Sequence, residues 1–403
     1  MKIPRWMASP RWRAAWGRDD LRRHRLTLLG ARSGPRRPSR RFSLVLALTS
    51  AALLLLLARN HPALGQVMQV TPTEPPNVGL TFSKRQAEYL GLPWRETFQM
   101  ALNLSPQLVR LGAYWDEIES QPGHYDFSTL DWQLDQAAAQ DRQVMLTVGM
   151  KAPRWPEYYL PTWLMSRLTL PQGAQVSDSA RLRTHALAFV RTVVQRYRSH
   201  EVIAYWQVEN EPLDPSGPHR WRIGADFLRQ EVELVRALDE QRRPVIVNMF
   251  VATHPLNAAP PLRTEVRKRA RTILETADIL GLDLYPSMGT RILGFDVYFN
   301  WLQWPWERPA LDLQRLARQH GKETWIIEAQ AEPWEPSSVV YTAARQSRSV
   351  QPSTAVSIFG RLQAAGFQHI LLWGVEHWYM RLQRYRDGTW WEAMEPHFPQ
   401  GAG

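Results

Sequence analysis

From Asn77 onward the chain alternates short apolar, β-branched runs with longer amphipathic stretches. The runs are VGLTF from Val78, LVRLGAY from Leu108, VMLTVGM from Val144, IAYWQVEN from Ile203, PVIVNMF from Pro244, ILGLDLY from Ile279, TWIIEAQ from Thr324 and ILLWGVE from Ile370. Each is short enough for one buried strand, and the stretches between them, such as ARLRTHALAFVRTVVQRYR and ADFLRQEVELVRALDEQ, are compatible with helices. Strand then helix, repeated eight times within residues 77–395, predicts an α/β fold, a (β/α)8 TIM barrel with insertions. A doubly wound open sheet needs a phosphate-binding glycine turn after its first strand, and TFSKRQAEYLG has none.

Composition and charge refine this picture at the N-terminus. With 403 residues and 44% hydrophobic content, the chain can bury one barrel-sized core. Its formal charge of +11 suggests nucleic acid until the charge is mapped. Residues 1–41 hold 13 of the 49 Lys and Arg but two of the 38 Asp and Glu, so the rest carries 36 of each and no net charge. A nucleic-acid partner is therefore not expected for the main domain. Residues 42–58, FSLVLALTSAALLLLLA, follow the basic segment as an uncharged run suited to a signal-peptide core or a membrane anchor. Arginines before that run place the N-terminus in the cytoplasm and send the remainder outward, so the domain is expected to be exported to the periplasm, cell surface or medium. Residues 59–76 form a linker, Pro-rich in VTPTEPPN. The chain has no cysteine, hence no thiol nucleophile, thiolate metal ligand or disulfide.

In such a barrel, functional groups gather at the C-terminal ends of the strands. Asn210 and Glu211 close the fourth run, and Pro212 stops the pairing there. Glu328 follows the apolar TWII of the seventh run, on the opposite wall of the mouth. Two facing carboxylates suit glycoside hydrolysis, and a pair about 5–5.5 Å apart works with retention. The chain here resembles the clan A retaining glycoside hydrolases, in which an acid/base Glu follows Asn on strand four and a nucleophile Glu ends strand seven. The resemblance rests on VENEP, IIEAQ, the family 5- and 42-like stretch from Val109 to Ala137, APRWP, DLYP and Trp373, and covers most of residues 77–380.

The resemblance implies a role for each matching position. Glu211 is expected to be the general acid/base, kept protonated by its negative neighbour and by partial burial. Glu328 is expected to be the nucleophile, with Arg110 and Tyr285 donating to it. Asn210 matches the residue that holds the sugar 2-hydroxyl. Apolar sugar faces stack on aromatic rings, and Trp155, Trp334, Trp373 and Trp378, which follow strand ends, are candidate substrate platforms, whereas Trp132, Trp206 and Trp325 suit the core. One departure stands out: many clan members carry His-x-Tyr on strand six, where this chain has Asp283, Leu284 and Tyr285.

The expected partner is a carbohydrate, joined by the membrane if residues 42–58 remain uncleaved. No cofactor is implied. A metal-dependent hydrolase wants clustered histidines, and the 11 present are scattered, without His-x-His or His-Glu-x-x-His. A second reading stays open, a barrel without catalysis that serves as an envelope-tethered carbohydrate-binding or scaffold protein. The presence of both glutamates counts against it.

Overall fold

The computed structural model describes residues 75–253, 260–336 and 347–399. The basic segment, the apolar run 42–58 and His254, which follows the fifth apolar run, lie outside them. Among the described residues no helix is long and apolar enough to cross a membrane. Eight parallel strands close into a barrel as the sequence pattern predicts. They are β1 (Asn77–Thr81), β2 (Leu108–Gly112), β3 (Gln143–Val148), β4 (Ile203–Val208), β5 (Val245–Val251), β6 (Ile279–Leu284), β9 (Glu323–Gln330) and β10 (His369–Trp373), with β1 and β10 pairing to seal the ring. The long stretch after β6, readable only as a loop from its sequence, contains an antiparallel hairpin, β7 (Ser287–Ile292) and β8 (Phe295–Asn300).

Alternation along each strand sorts the core into two regions. Leu108, Met145, Tyr205, Ile246, Ile279, Trp325, Ile327 and Leu371 form one apolar cluster, which is the lower filling of the barrel. Two residues further along their strands stand Arg110, Thr147, Gln207, Asn248 and Gly281, so the filling turns polar toward the mouth. Gly281 has no room for a side chain: a Cβ there would lie 2.9 Å from both Asn248 Cβ and Ile327 Cδ1. Residues of opposite parity, among them Val109, Trp206, Val208, Val247, Leu280 and Leu282, join the larger cluster between barrel and helices. Helix Ala180–Tyr197 shows how a helix meets that layer. It buries Leu182, Ala186, Phe189, Val190, Val193, Val194 and Tyr197, one apolar stripe, and its first turn is capped by the Ser179 side chain accepting from Leu182 N–H.

β9 breaks the alternation. Between Leu282 and Asp283 on β6, and between Ile370 and Leu372 on β10, the pairing with β9 slips by one residue. Both slips flank Ile327, the position of a bulge. Ile326 and Ala329 pack outward while Trp325 and Ile327 pack inward, and the extra residue lets Glu328 face inward as well.

Candidate active site

Arg110 organises the mouth from β2. Wholly buried, it donates from Nη1 to Glu328 Oε1 at 2.6 Å, from Nε to Gln207 Oε1 at 2.6 Å and from Nη2 to Asn210 Oδ1 at 2.5 Å. Tyr285, just beyond β6, donates its hydroxyl to Glu328 Oε2 at 2.5 Å. Each oxygen of Glu328 thus accepts a bond, as suits a carboxylate held in one orientation.

Glu211 stands opposite, two residues past Glu209, and both adopt left-handed backbone, φ 45° and 59°. The left-handed step is anchored on both sides: Glu211 N–H donates to Asn248 Oδ1 at 2.8 Å, and Lys151 Nζ donates to the Glu211 carbonyl at 2.8 Å. Lys151 is itself paired with Glu157 at 3.2 Å. One oxygen from each of Glu211, Asp283 and Glu328 lies within 4.8 Å of the others. Burial, then the charges of Glu157 and Glu328, push the Glu211 carboxyl up to about 8, against the pull of Lys151. Burial, again with Glu328 and Glu211 nearby, raises Asp283 well above the usual range. A divalent cation could bridge three such carboxyls, but Arg110 already supplies a positive charge to Glu328.

The structure brings Glu211, Glu328, Arg110, Asn210 and Tyr285 together at one site. The tryptophans divide. Trp155 is 62% exposed and Trp334 44% exposed, and Trp334 meets the Tyr285 ring edge-on at 5.0 Å. Trp373 is buried with Arg154 over its face at 4.0 Å, and its Nε1–H donates to Glu332 Oε1 at 2.9 Å. Trp378 corrects the sequence expectation: it is fully buried, donates to the Ala331 carbonyl at 2.6 Å and offers no face to a ligand. The reason is that β10 ends at Trp373 and a helix, Val375–Tyr385, begins almost at once, turning residue 378 into the core.

Several residues of this rim escape a reading by motif. Arg154 lies between two glutamates, bonded to Glu332 and, at 2.6 Å, to Glu376, whose other oxygen accepts from Ser83 N–H at 2.5 Å. Asn248 links three strand ends, donating to Asn210 Oδ1 at 3.0 Å and to Asp283 Oδ2 at 2.6 Å besides accepting from Glu211. Its inward parity on β5 was the one available signal. Glu209, inside the VENEP motif, turns away from the mouth and accepts from Met150 and Lys151 N–H at 2.8 and 2.6 Å. Its carboxyl fills the space beside Gly149, where φ is 132° and a Cβ would lie 2.4 Å from it.

A closed eight-stranded barrel with glutamates from its fourth and seventh strands facing each other is the layout of the clan A glycoside hydrolases, and comparison with known proteins supports that class. The family model of glycoside hydrolase family 42, described as beta-galactosidase, matches residues 91–219, a segment that includes Glu211 and stops before Glu328. Beta-galactosidase bgaB of Geobacillus kaustophilus is 27% identical over 128 residues, covering 29% of this chain and 19% of that protein. A beta-galactosidase of Arthrobacter sp is 29% identical over 111 residues, 24% of this chain and 15% of that one. Among solved structures, the beta-galactosidase of Rahnella sp. R3 superposes with a TM-score of 0.51 at 13% identity, over 74% of this chain and 50% of that chain. That of the psychrophilic Marinomonas ef1 does so with a TM-score of 0.50 at 16% identity, over 74% and 53%. The matched part thus spans about half the length of these structures and about a fifth of bgaB. The structural likeness establishes the barrel.

Proposed function

We propose that the protein is an exported glycosidase that cleaves β-linked oligo- or polysaccharides with retention of configuration, through a glycosyl-enzyme intermediate. The observation that carries the reading is the carboxylate pair: oxygens of Glu211 and Glu328 lie within 4.8 Å of each other, with Arg110 and Tyr285 donating to Glu328. Retaining enzymes hold the pair about 5–5.5 Å apart, whereas inverting ones leave about 6.5–9.5 Å for a water. In the first step Glu328 attacks the anomeric carbon while Glu211 gives its proton to the leaving oxygen. Glu211, now a carboxylate, takes a proton from water in the second step, and that water displaces Glu328 from the sugar. Asn210 is suited to the sugar 2-hydroxyl, and exposed Trp155 and Trp334 to stacking on rings that extend from the site. The names of the segment relatives make a terminal β-galactoside the first substrate to try. Export is supported by the basic and apolar segments before residue 59.

The test uses a panel of aryl β-glycosides and polysaccharides. Wild type is expected to release the aryl group, and the first-formed sugar anomer seen by NMR should keep the substrate's configuration. Glu328→Ala should lose activity by several orders of magnitude and regain part of it with azide, as a glycosyl azide of inverted configuration. Binding without turnover, unchanged in Glu328→Gln, would instead favour a non-catalytic carbohydrate-binding barrel, and an inverted first product would exclude the double displacement.

A further inference from the structure

Asp283 has no assigned part in the reaction sketched above, yet it stands in the polar layer beside both glutamates. It is fully buried on β6, paired in register with Glu328 of β9. Its two oxygens differ. Oδ2 accepts from Asn248 Nδ2 at 2.6 Å, while Oδ1 is buried and meets no donor among the described residues. One oxygen of Asp283 also lies within 4.8 Å of an oxygen of Glu211 and one of Glu328. Once Glu211 has given its proton to the leaving group, an ionised Asp283 would leave two buried carboxylates side by side with no proton between them, which is costly on both sides. A proton on Asp283 removes the conflict, because an O–H then points at an acceptor.

The surrounding charges favour that arrangement. Arg110 and the Tyr285 hydroxyl are both directed at Glu328. Lys151 faces the Glu211 main chain and pairs with Glu157, and Arg269 is bonded to Asp214. None of these cations bonds to Asp283 among the described residues, so the layer holds one guanidinium for three carboxyls. We infer that Asp283 is a positioning residue for Glu211, a neutral carboxylic acid whose O–H donates into the Glu211 carboxylate once Glu211 has given its proton to the leaving group. The Asp283 proton does not transfer. Glu328 is esterified at that moment, so the layer again contains a single carboxylate, now on Glu211, with Asp283 donating to it. Asn248 ties the pair together, since its side chain donates to Asp283 while accepting from Glu211 N–H.

This inference rests on the glycosidase reading for its mechanistic meaning, so its test has a readout independent of turnover. Glutamate labelled with 13C at the carboxyl carbon, assigned by loss of one signal in Glu211→Gln, reports the titration of Glu211 directly. Wild type is expected to titrate near 8. Asp283→Asn keeps a neutral donor of the same shape, so Glu211 should titrate within about half a pH unit of wild type. Asp283→Leu removes the donor and should move it up by about one pH unit. If Asp283 were an anion, Asp283→Asn would delete a neighbouring negative charge and Glu211 would fall by more than about one pH unit, which overturns the inference whether or not Asp283→Leu folds. An unshifted Glu211 in a folded Asp283→Leu overturns it too. On an aryl glycoside, kcat should fall about tenfold or more in Asp283→Leu with KM within about twofold, and recover largely in Asp283→Asn. The expected titrations without hydrolysis of any glycoside would sink the glycosidase reading and leave the carboxyl pairing standing.

Discussion

Arg110 donates to three side chains at once, Glu328 and Gln207 at 2.6 Å and Asn210 at 2.5 Å, while wholly removed from solvent. A buried ion pair adds little net stability, but breaking it from one side leaves the other charge uncompensated. Arg110→Met is therefore expected to lower stability by about 3–5 kcal/mol in denaturant titrations and to cut kcat/KM by at least about a hundredfold. Activity lost at unchanged stability would show that no buried charge depends on Arg110. Lysine is a poor substitute because one ammonium cannot reproduce three divergent donors. This residue was legible: an arginine inside LVRLG faces either the barrel or its rim. Trp378 was not, because five residues past a strand end say nothing about whether the chain has already turned into a helix.

At the level of elements, β3, β4 and the helix Ala225–Leu238 meet at a second carboxyl pair. Glu231 lies on the buried stripe of that helix with Phe227, Leu228, Val232 and Val235, near Glu209, and neither of its carboxyl oxygens meets a donor among the described residues. Burial pushes Glu209 up to about 7, opposed by the hydrogen bonds it accepts from Met150 and Lys151 N–H. Burial and the Glu209 charge raise Glu231 well above the usual carboxyl range. For a folded value raised in this way, the stabilising contribution is whole below the ordinary glutamate pKa of 4.5 and is lost progressively as pH rises toward the folded value. Glu231→Gln, neutral in both states, should melt like wild type near pH 4.5. It should gain on wild type by up to about 1.4 kcal/mol per pH unit above that. A difference independent of pH in parallel melting curves would show that Glu231 is ionised in the folded protein.

For the whole molecule the charge is unevenly distributed, with residues 1–41 carrying the entire net +11 and the remainder carrying none. A basic segment followed by the apolar run 42–58 matches the logic of export, positive flank inside and the following domain outside. A reporter that folds only in an oxidising compartment, fused after Pro75 in a bacterial host, is expected to be active. An inactive but stable fusion would place the domain in the cytoplasm. The neutral domain has no cysteine to lose or gain in such a compartment, so its stability rests on the two packed layers of the barrel.

The sequence by itself determined the order of the elements, their number around the barrel and the strand ends that carry the two glutamates, since periodicity and turn chemistry act over a few neighbouring residues. Only the tertiary structure decided what those glutamates meet. The bulge at Ile327 turns Glu328 inward, and it shows in the pairing of β9 with both neighbours, not in TWIIEAQ. Asp283 and Glu211, 72 positions apart in sequence, are brought within 4.8 Å of each other and share Asn248 from a third strand as a partner. Their protonation follows from burial and from charges far away along the chain, and these exist only after the barrel has closed.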